Sequence, residues 1–279
     1  MVSMLEIDLT NNNFIIMLKL GNKYLGFSMN ISGSVALITG ANGGIGSIFV
    51  QELLKLDVSK IYACARDVSK LNQLVALDSH RVIPVELNVV NAEAVARVAK
   101  DCSDVSLLIN NAGTSLNQGL IAAADLEAAR LEMELNYFGV LSMCRAFAPV
   151  LKAQGGGAIV NILSLLGKIN LPFSGSYSAS KAAAFSMTQG IRAELMGQGT
   201  LVIGVMPGTV NTELAKDWPD PKVEPTEVVK DTLQAVIDGQ EDVFPGEQAQ
   251  QIASQLLTDP KGVEKYLGNF LPGLSLAGL

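Results

Sequence analysis

The sequence predicts a single α/β domain built around an open, parallel β-sheet. Short apolar runs alternate with helical patterns along most of the 279 residues, without internal repeats or low-complexity linkers. Small or polar residues directly follow several of these runs, as expected where parallel strands end at a ligand-binding edge. A chain of this length is long enough to bury one sizeable core.

The first strand is predicted at Val35–Thr39, an apolar and partly β-branched run. A glycine-rich turn, Gly40–Gly46, follows it directly, and a helical pattern extends from Ile48 to Leu56. In such units the glycines permit a sharp turn and let backbone amides approach a pyrophosphate at the helix N-terminus. A glycine-rich turn alone is a common false positive, but here the flanking strand and helix supply the required context.

Two later strands are predicted to end beside the first. Leu107–Gly113 reads as a buried strand that ends in amides and small residues, and Gly157–Ser164 repeats the arrangement. Because the carboxyl ends of parallel strands meet at one edge, we expect Thr39, Asn111 and Ser164 to lie close together. The alternative is that each is a turn residue with only local hydrogen bonds.

Tyr177 and Lys181 are four residues apart in a helical pattern, which places them on one face. A tyrosine with its ordinary pKa of about 10 keeps its proton at neutral pH, but a cation one turn away favours the phenolate. Tyr177 is therefore predicted to exchange a proton with an alcohol or a carbonyl oxygen. On spacing alone, a packed ring beside a solvated charge is the commoner arrangement, and the upstream strand ends favour the chemical interpretation.

Taken together, these motifs resemble the short-chain dehydrogenase/reductase family over about residues 31–245. The separation of 13 residues between Ser164 and Tyr177 also matches that family. The resemblance implies a single Rossmann-like, doubly wound domain with a seven-stranded parallel sheet, helices on both faces and a nicotinamide cofactor. The matching motifs, in the family's order, are Thr39–Gly46, Asn110–Gly113, Ser164, Tyr177 with Lys181, and Pro207–Thr212.

The resemblance also implies roles for individual residues. Tyr177 would be the general acid/base, Lys181 would lower its pKa and bind the nicotinamide ribose, and Ser164 would hold the reacting oxygen. Asn136, in the family's Asn-x-x-Gly pattern, would fix a water that links Lys181 to solvent. Besides Tyr177 and Lys181, the expected cofactor contacts are Gly40, Asn42, Gly44, Ile45, Gly46, Arg66, Asn88, Val89, Asn111, Ala112, Gly113, Pro207, Gly208, Val210 and Thr212.

Two positions depart from the family pattern. Leu163 stands where many members carry a second serine, and Asn88 stands where many have an aspartate that contacts the adenine. Because Ser164 is retained and an amide still forms hydrogen bonds, we expect both departures to have modest effects.

The end of the second predicted strand favours NADP over NAD. Ala65 occupies the place where an NAD-selective site carries a carboxylate, and the guanidinium of Arg66 can hold a 2′-phosphate through two hydrogen bonds. Two features weaken this preference: Gly43 replaces a second basic residue that many NADP-preferring members have, and Asp67 is able to pair with Arg66. NAD is therefore the less favoured alternative.

Composition excludes several other classes of protein. The chain has 20 basic and 27 acidic residues, a net charge of −7 and no basic stretch, so nucleic acid and anionic membranes are not expected partners. Three cysteines are typical of reduced thiols rather than a disulfide framework, which indicates a cytoplasmic protein. No cluster of His, Cys and carboxylates has metal-ligand spacing, so no metal is expected.

Three regions are predicted along the chain: an N-terminal extension (1–30), a catalytic domain (31–245) and a C-terminal helical extension (246–279). The N-terminal extension is expected to be disordered, or an artefact if translation begins at Met29; its one compact apolar run suits neither a secretory signal nor a membrane span. In the C-terminal extension, helices are predicted at Gln248–Leu257 and Gly262–Phe270, and the apolar tail either covers the site or joins a neighbour.

The longest helical patterns are Leu126–Leu151 and Tyr177–Gly197. The second is rich in alanine, and small residues allow helices to approach closely, either inside the core or between subunits. The family resemblance favours a homodimer or homotetramer built on these two helices.

The expected substrate is a neutral aldehyde, ketone or secondary alcohol, because no arginine or lysine lies between Leu171 and Ser176. The short connection from Thr212 to Pro225 predicts a thin lid over an open site, or equally an ordinary surface loop. The residues expected to flank the substrate are Leu165, Leu166, Leu171, Pro172, Phe173, Leu214 and Trp218.

Two other functions remain open at this point. One is a catalytically silent, NADP-binding regulator, which the intact set of Asn136, Ser164, Tyr177 and Lys181 disfavours. The other is a relative of the nucleotide-sugar epimerases and dehydratases, which usually show a different glycine spacing and a larger C-terminal substrate domain.

Overall fold

The computed structural model of the protein describes residues 28–273. The predicted N-terminal extension up to residue 27, and residues 274–279 of the apolar tail, lie outside the described residues. The described chain begins against the core: the Met29 amide donates to the Val236 carbonyl at 3.1 Å, and Ile31 is buried.

Seven strands form one parallel sheet in the order β3-β2-β1-β4-β5-β6-β7. This confirms the predicted Rossmann-like, doubly wound, single-domain fold. The strand order reverses between β1 and β4, which is where such sheets bind ligands. The strands are β1 (Val35–Thr39), β2 (Lys60–Ala65), β3 (Val82–Glu86), β4 (Leu107–Asn110), β5 (Gly157–Ile162), β6 (Thr200–Val205) and β7 (Asp242–Val243).

Helices cover both faces of the sheet because successive strand side chains point to opposite sides. In β1, Ile38 belongs to the apolar core on one face and Leu37 to the core on the other. Helices α1 and α7 pack on the Ile38 face, and α3, α5 and α6 on the Leu37 face. The helices are α1 (Gly44–Lys55), α2 (Asn72–Val75), α3 (Ala92–Asp101), α4 (Glu127–Met133), α5 (Val140–Ala153), α6 (Gly175–Leu195), α7 (Pro225–Asp238), α8 (Glu247–Thr258) and α9 (Pro260–Leu267).

The predicted continuous helix from Leu126 to Leu151 is interrupted by a π-helical segment, Glu134–Gly139, between α4 and α5. Asn136 lies in this segment and forms two hydrogen bonds with the backbone of Thr114. A π segment widens the helix locally and often marks a functional site. The sequence does not reveal it because the contacts that accompany it come from a distant loop.

Other helix boundaries differ by a few residues from the predicted ones. Helix α1 begins at Gly44 rather than Ile48, inside the glycine-rich segment. The predicted break at Asp259 is present, but Asp259 caps α9 by accepting a hydrogen bond from the Gly262 amide, so the helix begins at Pro260. No helix in the described part of the chain is both long and apolar enough to cross a bilayer.

Candidate active site

A cavity of about 1010 Å³ lies at the carboxyl ends of the central strands, beside the reversal between β1 and β4. All of the predicted catalytic and cofactor-binding residues line it except Gly46 and Asn136, which lie immediately behind its wall. The structure therefore brings together residues that are spread over more than half of the sequence. The reason is the topology: each strand or helix that carries such a residue ends or begins at this edge.

The glycine-rich turn fits a pyrophosphate. Gly40 and Gly44 have φ values of +64° and +51°, which L-residues with side chains rarely adopt. A Cβ at Gly46 would lie 2.2 Å from the Gly40 carbonyl oxygen, so Gly46 permits the close packing of α1 rather than a cofactor contact. The first turn of α1 has neither a side-chain cap nor an acidic residue. Its backbone amides and the positive end of its dipole are thus available to an anion.

The ends of β1 and β4 are joined by hydrogen bonds through Thr39 and Asn111. The Thr39 hydroxyl oxygen accepts from the amides of Asn111 at 2.9 Å and Ala112 at 3.0 Å. The Asn111 side-chain amide donates to the carbonyls of Thr39 and Gly40 at 3.1 and 3.0 Å. These bonds fix the floor of the cavity where the glycine turn begins.

Tyr177 and Lys181 share one face of α6, with the Lys181 Nζ 5.7 Å from the centre of the Tyr177 ring. The Lys181 side chain is buried and donates a hydrogen bond to the carbonyl oxygen of Ile162 at 2.8 Å. Ser164, just beyond β5, is also buried, and its hydroxyl oxygen accepts from the Leu166 amide at 3.1 Å. All three side chains line the same cavity.

Burial dominates the electrostatics of this group. It raises the pKa of Tyr177 to about 12; hydrogen bonding to Ser164 acts in the opposite direction, and the charge of Glu132 raises the pKa further. Burial lowers the pKa of Lys181 to about 8. The prediction that the neighbouring cation lowers the Tyr177 pKa is therefore wrong for the protein chain alone. Desolvation of the phenol outweighs other influences, and the ammonium is directed to the Ile162 carbonyl.

Asn136 and Glu132 lie one helical turn apart behind the cavity wall and hold the same loop. The Asn136 side-chain oxygen accepts from the Thr114 amide at 2.9 Å. Its side-chain nitrogen donates to the Thr114 carbonyl and to the Ser180 hydroxyl, each also at 2.9 Å. One carboxylate oxygen of Glu132 accepts from the Leu116 amide at 2.7 Å, while the other has no hydrogen-bond partner among the described residues. Sequence reasoning missed Glu132; the available signal was its spacing of four residues from Asn136.

At the other end of the cavity, the exposed guanidinium of Arg66 forms no ion pair within the described residues. The suggested competition from Asp67 is wrong. Its carboxylate caps the following turn by accepting from the Ser69 amide at 3.0 Å and the Ser69 hydroxyl at 2.6 Å. Arg66 is therefore available to a ligand, and no carboxylate stands at Ala65 to oppose a phosphate.

The substrate side of the cavity is only partly as predicted. Pro172 and Phe173 do not line it; the Phe173 ring instead packs edge-on against Trp218, with ring centres 5.6 Å apart. Residues of the connection from Thr212 to Pro225, among them Leu214 and Trp218, line the cavity, and the thin lid stays a prediction. Helices α8 and α9 form an additional wall. Phe270, the first residue of the apolar tail predicted to cover the site or join a neighbour, lines the cavity. The lining residues that sequence reasoning missed on this wall are Gln248, Gln251, Ile252, Gln255, Tyr266 and Leu267. Within residues 28–273 no group of His, Cys, Asp and Glu has the arrangement of a metal site.

The doubly wound sheet and this cavity define a dinucleotide-binding α/β protein. Residues 34–222 match the family model described as short chain dehydrogenase. The chain belongs to the short-chain dehydrogenase family and is an oxidoreductase.

Individual relatives agree with this assignment. A short chain dehydrogenase from Burkholderia cenocepacia, solved in complex with NADP, is 45% identical, with a TM-score of 0.82 over 86% of this chain and 99% of that one. An uncharacterised oxidoreductase of Staphylococcus saprophyticus is 31% identical over 75% of this chain and 93% of its own length. A Drosophila melanogaster protein named as similar to dehydrogenase/reductase SDR family protein 7 is 32% identical, and the match covers 61% of its length.

Proposed function

We propose that this protein is an NADP-dependent oxidoreductase that transfers a hydride between the nicotinamide and a neutral carbonyl compound or secondary alcohol. The observation that carries the proposal is the placement of Tyr177, Lys181 and Ser164 on one cavity with the glycine turn and Arg66, for which residues 28–273 supply no ion-pair partner. The NADP complex of the 45% identical Burkholderia cenocepacia relative supports the choice of cofactor.

The residues present fit a dinucleotide with a 2′-phosphate. Backbone amides of the glycine turn would hold the pyrophosphate, and Arg66 would hold the 2′-phosphate. Lys181 would bind the nicotinamide ribose. The other proposed contacts line the cavity between these points: Asn42, Ile45, Asn88, Val89, Asn111, Ala112, Gly113, Pro207, Gly208, Val210 and Thr212.

The cofactor, when bound, supplies or accepts the hydride. During reduction, negative charge grows on the carbonyl oxygen, and the hydroxyls of Tyr177 and Ser164 are the donors that meet it. Because burial raises the pKa of Tyr177 to about 12, its hydroxyl is protonated at neutral pH. It is therefore ready to act as the acid for reduction, whereas alcohol oxidation requires the phenolate and a higher pH.

The proposal includes a homodimer or homotetramer in the cytoplasm. Leu131 and Phe138 leave apolar side chains 57% and 48% exposed along the helical stretch predicted to join subunits. Cys64, Cys102 and Cys144 are buried free thiols, which is the usual state in a reducing compartment. Light scattering on the wild type and on Leu131→Glu tests the assembly: the substitution should lower the molecular mass in solution.

The function is tested by following NADPH and NADH oxidation with a panel of neutral aldehydes, ketones and diketones. Turnover with NADPH preferred is expected. Tyr177→Phe should lower kcat by about a thousandfold and leave NADPH affinity nearly unchanged, because only the proton donor is removed. Tyr62→Phe, which removes a hydroxyl far from the cavity, is the control. NADPH binding without turnover of any carbonyl would instead indicate a regulatory protein.

A further inference from the structure

The two C-terminal helices close the cavity on its substrate side, although they lie beyond the family match, which ends at residue 222. They are attached to the wall of the site by main-chain and side-chain contacts. The Phe173 amide donates to the Phe270 carbonyl at 2.9 Å. Leu171, Val263 and Leu267 form a buried apolar cluster against which Phe173, Trp218 and Phe270 pack, among others.

The chemistry of this wall differs from that of the cofactor half. Its deeper part is apolar, with Leu171, Ile252 and Leu267, and Trp218 beside them. Helix α8 adds three glutamines at spacings of three and four residues, Gln248, Gln251 and Gln255, which are exposed at the mouth.

Charged groups are placed so that they disfavour an anionic substrate. The described cations that line the cavity are Arg66, at the cofactor end, and Lys181, beside Tyr177. The carboxylates that line it, Glu213 and Asp220, lie in the connection between β6 and α7, next to Trp218. Glu213 is paired with Lys216 at 2.6 Å, so Asp220 is the group that would repel a substrate carboxylate or phosphate placed against the C-terminal wall. No described cation lines the cavity at that wall.

We propose that helices α8 and α9 are the specificity element of this enzyme and that they select an uncharged carbonyl compound with a bulky apolar group. This inference rests on the proposed hydride transfer. The apolar group packs against Leu267 and Phe270, the glutamine side chains contact polar substituents at the mouth, and the reacting carbonyl faces Tyr177.

Size selection is tested with straight-chain methyl ketones from butanone up to undecanone, using the full-length protein and NADPH. We expect kcat/KM to rise about fourfold for each added methylene until the apolar surface of the wall is covered, because the transfer of each methylene from water to this surface is favourable. Phe270→Ala and Leu267→Ala should flatten this dependence mainly through KM. Leu257→Ala is the matched control, since Leu257 is on α8 but 87% exposed and outside the cavity.

A second readout does not depend on turnover. Trp218 is the only tryptophan of the chain and lines the cavity, so its fluorescence reports directly on ketone binding. Ketone affinity measured in this way should rise with chain length in the wild type and fall at least about fivefold in Phe270→Ala for the longest ketone.

The outcomes separate the two proposals. Turnover that does not depend on ketone length would overturn the specificity inference and leave hydride transfer intact. Length-dependent binding at Trp218 without turnover would support the specificity inference and overturn the proposed reaction. If the protein shows no turnover and no length-dependent binding, both proposals are overturned.

Discussion

The ammonium of Lys181 lies 5.7 Å from the centre of the Tyr177 ring and is hydrogen-bonded to the Ile162 carbonyl 2.8 Å away. This position suits a cation proposed to bind the nicotinamide ribose, but it removes the charge from water. Burial lowers the pKa of Lys181 from 10.5 to about 8. The protein thus carries a group that favours the proposed chemistry and opposes folding.

Lys181→Met is expected to stabilise the cofactor-free protein while abolishing turnover. Below about pH 8 Lys181 is charged in both states, so the wild type bears the full penalty of burying the charge. Between about pH 8 and 10.5 the folded protein releases a proton that the unfolded chain keeps, so wild-type stability rises. Urea unfolding should therefore show a gain on the order of 3 kcal/mol at pH 7 that shrinks by pH 10.

Lys230→Met, at an exposed position of α7, is the control and should produce no such pH-dependent gain. A Lys181→Met protein that is less stable than the wild type at pH 7 would show that the lost hydrogen bond to Ile162 outweighs desolvation.

Glu132→Gln is expected to shift the pH profile of alcohol oxidation to lower pH. The charge of Glu132 raises the pKa of Tyr177, so its removal should let the phenolate form at lower pH. Glutamine keeps an oxygen that can accept from the Leu116 amide, so the loop should stay in place. The measurement is kcat/KM against pH for wild type and variant. Glu134→Gln, two residues along and exposed, is the matched control. Equal pH profiles for Glu132→Gln and the wild type would show that the charge of Glu132 does not influence the Tyr177 pKa.

Arg66→Leu is expected to weaken NADPH binding about tenfold and to change NADH binding little. A guanidinium bonded to a phosphate contributes roughly 1.5–3 kcal/mol, and exposure to solvent places this site at the lower end of that range. Fluorescence titration with each cofactor measures the effect. Lys70→Ala removes a nearby exposed cation that does not line the cavity and should change neither affinity. Equal losses for both cofactors would contradict a 2′-phosphate contact.

Gly46→Ala is expected to destabilise the fold by about 3 kcal/mol, because the new methyl group would be forced against the Gly40 carbonyl and the Asn111 amide. Gly190→Ala is the opposite case: no atom lies within 4 Å of its Cβ position, in the middle of α6. There alanine should stabilise by roughly 0.5–1 kcal/mol. Thermal unfolding of the two variants tests both signs at once, and a stable Gly46→Ala protein would show that α1 is able to move.

Local pattern predicted most of the fold. The run Val35–Thr39 contains three β-branched residues and is followed by several glycines, which makes a buried strand and its turn recognisable without any tertiary information. Strand ends could be placed at one edge because parallel topology leaves little choice. The π segment around Asn136 could not be predicted, since the hydrogen bonds that accompany it come from Thr114, 22 residues away.

The site shows the same division. Residues in motifs, such as Ser164 and Tyr177, could be placed from spacing, but their electrostatics could not. The pKa of Tyr177 depends on burial and on the charge of Glu132, and the segment from Tyr177 to Lys181 predicts neither of them. Likewise, Gln251 and Phe270 reach the cavity only because α8 and α9 fold back on it.

The wall formed by α8 and α9 has an evolutionary consequence. Tyr177 and the glycine turn lie on the sheet and its helices, whereas Leu267 and Phe270 belong to a segment that adds no strand to it. On the proposed role of α8 and α9, mutations in the last part of the chain would change which molecule is accepted without disturbing the residues proposed to react with it. Duplicated copies of such a gene could diverge in the substrates they accept while keeping the same chemistry.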